Sequence, residues 1–330
     1  MNENSRIFKA VDEYSLTRII QHVFDRDTVV AEAKLREGGL FNTTYLVTTK
    51  CPDQNVIIRF APSRQELLFQ FEREMMAKEP WIYEQLRRVG IPVPRILAFD
   101  DSYRIIPRSY VVLEYVAGIP LHEAKMSDMD RSTIQERLGK ATAAMHSITA
   151  DYYGWPQPDH PERAYRTWWD FIAAFTDEIA EKTTRFEVFD EMMMQTYYDF
   201  FREHKHVFEL AETPRFVHND LWEPNVLVRE ENGTWDIAAV IDADRALFGD
   251  REYEFALWGN NPHFMRGYGR TLDDSHEANI RRTSYMFLLQ LMNAYFHKVQ
   301  NNNEAQYLHE KALAEATFEQ LRHMTELAHV

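Results

Sequence analysis

With 330 residues and 45% hydrophobic content, the chain can build ordinary globular cores and is long enough for two lobes. The 52 acidic and 37 basic residues leave a formal charge of -15, which argues against a nucleic-acid partner, since such binding rests on Lys and Arg neutralising phosphates. The same balance suits a cationic small-molecule partner and equally a soluble protein kept apart by its own charge. Cys51 is the single cysteine, so an intrachain disulfide and a thiolate cluster are both excluded.

In chain order, the polar segment Met1 to Asp12 lacks the apolar core of a signal peptide, and no later run reaches membrane-spanning length. A cytoplasmic chain with no membrane partner is therefore expected. Leu16, Ile19, Ile20 and Val23 recur at helical spacing behind Ser15, a candidate N-cap. The period then changes to strand-like runs at Thr44–Thr49 and Val56–Phe60, with a turn at Cys51–Asn55 between them. Arg64 to Val89 has helical composition, with Pro80 predicting a kink or a new start. Strand-like runs follow at Arg95–Phe99 and Ser109–Tyr115. From Ser127 onward helices dominate, with apolar stripes at Ile134, Leu138, Ala141, Met145 and Ile148 and again at Trp168, Phe171, Ile172 and Phe175. Tyr285 to Phe296 is apolar on almost every face, as a buried helix would be. The strand-rich part thus gives way to the helical part near Gly118, an α+β outline.

Chemistry concentrates in Phe216–Val228. A short apolar strand leads to His218, then Asp220, then Asn225 five places on, then a second strand; Ala238–Ile241 follows and delivers Asp242 and Asp244. Taken singly, these are the Asp and Asn residues that cap turns between strands. Together they place hard oxygen donors on one loop and one strand end, which suits magnesium and a substrate hydroxyl. Phosphoryl transfer asks a protein for in-line positioning, metal screening and a group to orient the nucleophile. In that reading Asp220 accepts the hydroxyl proton, Asn225 and Asp242 hold Mg2+, and His218 organises the loop.

The run His218-Asn-Asp-Leu-Trp-Glu-Pro-Asn225, with Val240-Ile-Asp-Ala-Asp244 and Phe248-Gly-Asp-Arg-Glu-Tyr253, resembles the aminoglycoside phosphotransferase family; its tail is similar to the hygromycin phosphotransferase branch. The resemblance extends from about Arg36 to Trp258. It implies a two-lobed protein-kinase-like fold, with a small β-rich N-terminal lobe over residues 1–116 that binds nucleotide. A larger helical lobe over 117–330 would carry the catalytic loop and the acceptor site. It further implies transfer of the γ-phosphate of ATP, or GTP, to a hydroxyl of a small molecule. An aminoglycoside-like antibiotic, with resistance as the outcome, is the first acceptor class. A choline-like, amino-acid or sugar acceptor in metabolism is the alternative, and a catalytically silent nucleotide-binding protein a further one. Within the resemblance, Gly38, Gly39 and Asn42 belong to the phosphate-covering segment, and Arg59 stands where many kinases place a phosphate-binding lysine. Glu79, favoured over Glu74 by spacing, is the helix glutamate that pairs with it, and Glu114 to Val116 is the hinge meeting the base through backbone groups. Asn219 departs from the pattern, standing where glycine is usual. Acids of the helical part, among them Asp170, Asp177, Glu178, Glu252 and Glu254, are candidates for binding ammonium groups.

Overall fold

A computed structural model of the chain describes residues 5–36, 39–210, 212–258 and 261–327. Helix α1 (Glu13–Val23) buries Leu16, Ile19 and Ile20, the face its spacing predicts. Its cap differs from the expectation: Asp12 occupies the N-cap, and its carboxylate accepts from Ser15 N at 2.8 Å. Aspartate and serine are both good caps, and Asp12 is the one three residues before a free N–H.

Strands β1 (Val29–Leu35), β2 (Thr43–Lys50) and β3 (Gln54–Phe60), helix α2 (Gln70–Arg88), and strands β4 (Ile96–Asp100) and β5 (Tyr110–Glu114) make the first lobe. The strands form one antiparallel sheet in the order β1-β2-β3-β5-β4. Strand β2 alternates buried and half-buried positions, as a sheet with one covered face should. Edge strand β1 escaped the sequence reading because Ala, Glu and Lys in its middle are poor strand formers. Pro80 neither ends nor restarts α2: the helix runs through it unbroken. The lost hydrogen bond and ring clash cost ~3 kcal/mol. Burial of Met76, Ile82, Tyr83 and Leu86 on the inner face offsets this.

After β5 the chain leaves that sheet. Strand β6 (Ile119–Pro120) pairs instead with the second lobe, and helices α3 (Asp128–Met145), α4 (Trp168–Arg185) and α5 (Glu191–Glu203) follow. Ser127 caps α3, as its position suggests, with its hydroxyl accepting from Asp130 N. Strands β7 (Arg215–Val217), β8 (Val226–Glu231), β9 (Thr234–Val240) and β10 (Leu247–Gly249) form two small sheets, β6-β8-β9 and β10-β7. Helices α6 (Phe255–Trp258), α7 (Pro262–Tyr268), α8 (His276–Tyr295) and α9 (Glu304–Leu327) complete the lobe. Helix α8 is buried along most of its length, as the apolar run predicts. Helices α3 and α7 cross closely enough that a Cβ at Gly267 would stand 1.8 Å from Glu136 O and one at Gly139 2.0 Å from Phe264 O. The molecule is the two-lobed α+β, protein-kinase-like fold, with a sheet lobe and a helical lobe. No helix among the described residues is long and apolar enough to cross a membrane.

Candidate active site

The loop after β7 is set by its backbone. His218 is fully buried, and its N–H and that of Asn219 both donate to the Glu254 carboxylate, at 2.7 and 3.2 Å. Glu254 is itself buried and lies 3.5 Å from His146 Nε2, while His146 Nδ1 meets the Tyr268 hydroxyl at 2.8 Å. Asn219 adopts φ 62°, the left-handed region where glycine is favoured and asparagine is the best-tolerated substitute. Its side chain donates to Arg245 O at 3.1 Å, so the departure from glycine adds a tether rather than removing a ligand.

Asp220 follows at once. Asn225 Nδ2 donates to both its main-chain oxygen, at 2.8 Å, and its Oδ2, at 3.0 Å. Burial pushes the Asp220 carboxyl up to about 7; Arg245 opposes that shift, and Asp242 and Asp244 add to it. Ile241 N donates to Asn225 O at 2.9 Å, which stitches the strand end carrying Asp242 to the loop carrying Asn225. Asp242 sits at φ 58° and its N–H donates to the Tyr83 hydroxyl at 3.2 Å. A left-handed aspartate held from both sides turns its carboxylate out of the strand line, and 40% of that side chain remains exposed.

Arg59 joins the lobes. From β3 its Nη1 reaches Glu79 Oε1 at 2.6 Å, and its Nη2 lies 3.0 Å from Asp242 Oδ1 and 2.9 Å from Asp244 Oδ2. Burial drives the Glu79 carboxyl up to about 7 against the pull of Arg59. Glu74, the rival by spacing, pairs with Lys78 at 2.8 Å and lies 3.7 Å from Arg163, away from this cluster. Asn42 Nδ2 donates to Asp244 Oδ2 at 3.3 Å, bringing the segment before β2 to the same carboxylate.

Of the other sequence candidates, Gly38 lies outside the described residues. Gly39 is exposed, and a Cβ there would meet Asn42 O at 3.4 Å, an ordinary contact, so the fold itself does not demand glycine at this position. Glu114 ends β5; its side chain pairs with Arg95 at 2.6 Å and its N–H donates to Arg95 O. Val116 lies just beyond, half-buried. Among the described residues no group of three His, Cys, Asp or Glu gathers as a metal cage. The donors that do converge fit magnesium differently. Asn225 Oδ1 is free of the Asp220 contacts and Asp242 is open, and Mg2+ usually takes one or two protein oxygens together with substrate phosphates.

One expectation is corrected here. Glu252 and Glu254 are both buried, Glu254 holding the backbone of the loop after β7 and Glu252 pairing with Arg281 and Arg282, so neither is open to a ligand's ammonium group. Asp170 closes the capping box of α4 with Thr167, and Glu178 accepts from Gln70 N at 2.5 Å. Sequence reasoning missed Arg245, Glu254 as a loop anchor, and Tyr83, which stands one turn after Glu79 on α2. The α2 spacing of Glu79 and Tyr83 at i and i+4 was the one available signal. Asp250 meets Arg281 Nε at 2.8 Å and the Tyr285 hydroxyl at 2.7 Å, a scaffold role.

A cleft of about 770 Å³ opens between α7, α8 and α9, floored by Phe255, Met265, Leu272 and Met286. Its rim carries Arg266 and Arg270 together with Asp273 and Asp274. It shares Ala256 with a small cavity lined by Asn219 and Tyr253.

Residues 32–282 match the sequence pattern of the phosphotransferase enzyme family. The chain is 25% identical over 193 residues to the hygromycin-B 4-O-kinase of Escherichia coli, a match that covers 54% of this chain and 50% of that one. The chain thus spans about half the length of that curated relative. The aminoglycoside phosphotransferase APH(4)-Ia superposes with a TM-score of 0.65 at 18% identity, covering 94% of this chain and 99% of the other. The GDP and kanamycin complex of APH(2")-IIia gives 0.65 at 14% identity, covering 93% and 99%. The solved structures carry the fold and the matched pattern carries the descent: this chain belongs to the phosphotransferase enzyme family, the aminoglycoside phosphotransferase family, with homology to its hygromycin-kinase branch.

Proposed function

We propose that this protein transfers the γ-phosphate of ATP or GTP to a hydroxyl of a small molecule. The observation that carries this is the meeting of Asp220, Asn225 and Asp242 with the Arg59–Glu79 pair where the two lobes touch. In this reading residues 1–116 hold the nucleotide and 117–330 carry the catalytic loop and the acceptor. Glu114 and Val116 meet the base through backbone, while Gly38, Gly39, Asn42 and Arg59 address the phosphates. The acceptor oxygen forms a bond to Pγ as the bond to the β-bridging oxygen breaks, and the hydroxyl proton passes to the Asp220 carboxylate. A carboxyl pushed up to about 7 by burial is matched to that task near neutral pH. Asn225 and Asp242 would hold Mg2+, which supplies charge screening of the phosphates when bound. Glu254, which fixes the loop backbone, keeps Asp220 in place without touching the reacting atoms.

An aminoglycoside-like acceptor is supported by the homology to hygromycin-B 4-O-kinase and by the solved relative held as a ternary complex with AMP-PNP and hygromycin B. One observation favours the metabolic alternative, a choline-like, amino-acid or sugar acceptor. The rim of the 770 Å³ cleft mixes arginines with aspartates, whereas a polycation would be matched by acids alone. The deciding experiment incubates purified protein and magnesium-ATP or magnesium-GTP with aminoglycosides, choline-like amines, amino acids and sugars, and follows phosphate incorporation. Transfer to one of these, abolished in D220A, supports the reading. Nucleotide binding with no transfer to any class overturns it in favour of a silent binding protein.

A further inference from the structure

Asp244 is the residue of the site that the proposed chemistry leaves without a task. Its carboxylate is far less open than that of Asp242, 7% exposed against 40%, and its Oδ2 already accepts from Arg59 Nη2 at 2.9 Å and Asn42 Nδ2 at 3.3 Å. Three carboxylates therefore surround one guanidinium, those of Glu79, Asp242 and Asp244. Two come from the helical lobe and one from α2.

The donor count gives this arrangement a meaning. Arginine has five N–H donors in a rigid planar fork, and lysine has three on a rotating point charge. Nη1 donates to Glu79 and Nη2 to Asp244, with Asp242 Oδ1 3.0 Å from the same Nη2 as an ion-pair contact, which leaves Nε–H and the second Nη1–H for another acceptor. A lysine in this place would have all three donors taken by the same carboxylates. Fixing the fork on one edge also fixes the direction of the other edge. Asn42 adds a second link, since it stands in the segment that precedes β2 and is tied to the same oxygen as Arg59.

We propose that Asp244 is a positioning residue, the counterpart of having arginine rather than lysine at this place on β3: it locks the Arg59 fork so that its remaining donors face nucleotide phosphate, and through Asn42 it tethers the phosphate-covering segment to the helical lobe. The inference rests on the nucleotide-binding reading above. It requires that the value of Asp244 depend on which cation stands opposite it, a dependence that a purely structural carboxylate would not show.

The test is calorimetric binding of magnesium-AMP-PNP, and of AMP-PNP without metal, to the full-length protein as wild type, D244N, R59K and R59K/D244N. Asparagine keeps the shape and one acceptor oxygen, and circular dichroism checks that each variant is folded. In the wild-type background D244N should weaken nucleotide about tenfold, with or without metal, as expected for loss of a charge-assisted hydrogen bond. R59K should also weaken it. In the R59K background D244N should act in the opposite sense and tighten binding severalfold, because it releases a donor from the third carboxylate. D244N equal to wild type, or weakening binding by the same factor in both backgrounds, overturns the proposal. Wild type that binds no nucleotide overturns instead the functional reading on which it rests, so the two failures are told apart by the first titration.

Discussion

The Arg59 cluster and the cleft between α7, α8 and α9 handle charge in opposite ways. Around Arg59 the guanidinium, Glu79 and Asp244 are all under 10% exposed and each meets a named partner within 3 Å. Around the cleft, Arg270, Asp273 and Asp274 stand in solvent above an apolar floor. Buried, mutually fixed charges cannot move without a large desolvation cost, so they suit a task that never changes. Exposed charges over Met and Phe can be exchanged at little cost to the fold, so they suit a task that varies between relatives. In the proposed reading the first region serves the phosphate and the second the acceptor.

The contrast is tested most severely at Asp220. D220A should lower transfer by about a thousandfold or more, some 4 kcal/mol in the barrier, with an unchanged circular-dichroism spectrum. Retained turnover would move the chemistry out of this loop altogether. Next is Glu254, which lies outside the reacting atoms. E254A leaves the buried N–H of His218 and that of Asn219 without their acceptor and should cost about 3 kcal/mol of stability in denaturant unfolding. A variant as stable as wild type would show that the loop backbone is held by something else. On the acceptor side, M286W should fill part of the cleft floor and raise the acceptor KM about tenfold while leaving nucleotide affinity within twofold. If nucleotide affinity falls instead, the two regions are coupled and do not divide phosphate from acceptor.

What could be read in the sequence follows the range of the contacts. His218, Asp220 and Asn225 lie within eight residues, and their mutual bonds, such as Asn225 Nδ2 to Asp220 Oδ2, are local consequences of one loop. Strands β2, β3, β5 and β8 declared themselves through runs of β-branched and apolar residues. The supports of the site did not. Tyr83 and Asp242 are 159 positions apart, and Glu254 and His218 are 36 apart. A buried glutamate that accepts backbone N–H groups has the same letter as one on a solvated face, which is why Glu254 reads as a ligand acid until the fold is known. Pro80 does not start a new helix for a related reason: tertiary burial of α2 outweighs the local penalty.

The smallest expected effect concerns the cost of keeping Asp220 where it is. Its carboxyl is pushed from the ordinary 3.8 up to about 7, chiefly by burial, so folding favours the protonated form. The sign follows from linkage: stability from this group is fully present below pH 3.8 and is lost as pH rises through about 7. D220N carries no ionisable group there and escapes that loss. In metal-free buffer, the melting temperature of D220N relative to wild type should therefore rise between about pH 5 and pH 8, by roughly 1–3 °C for a chain of this size. A difference that stays flat across that range would mean the carboxylate is already solvated or neutralised. The inner, fixed region would then extend only as far as Arg59, and the catalytic loop would belong with the adaptable side of the molecule.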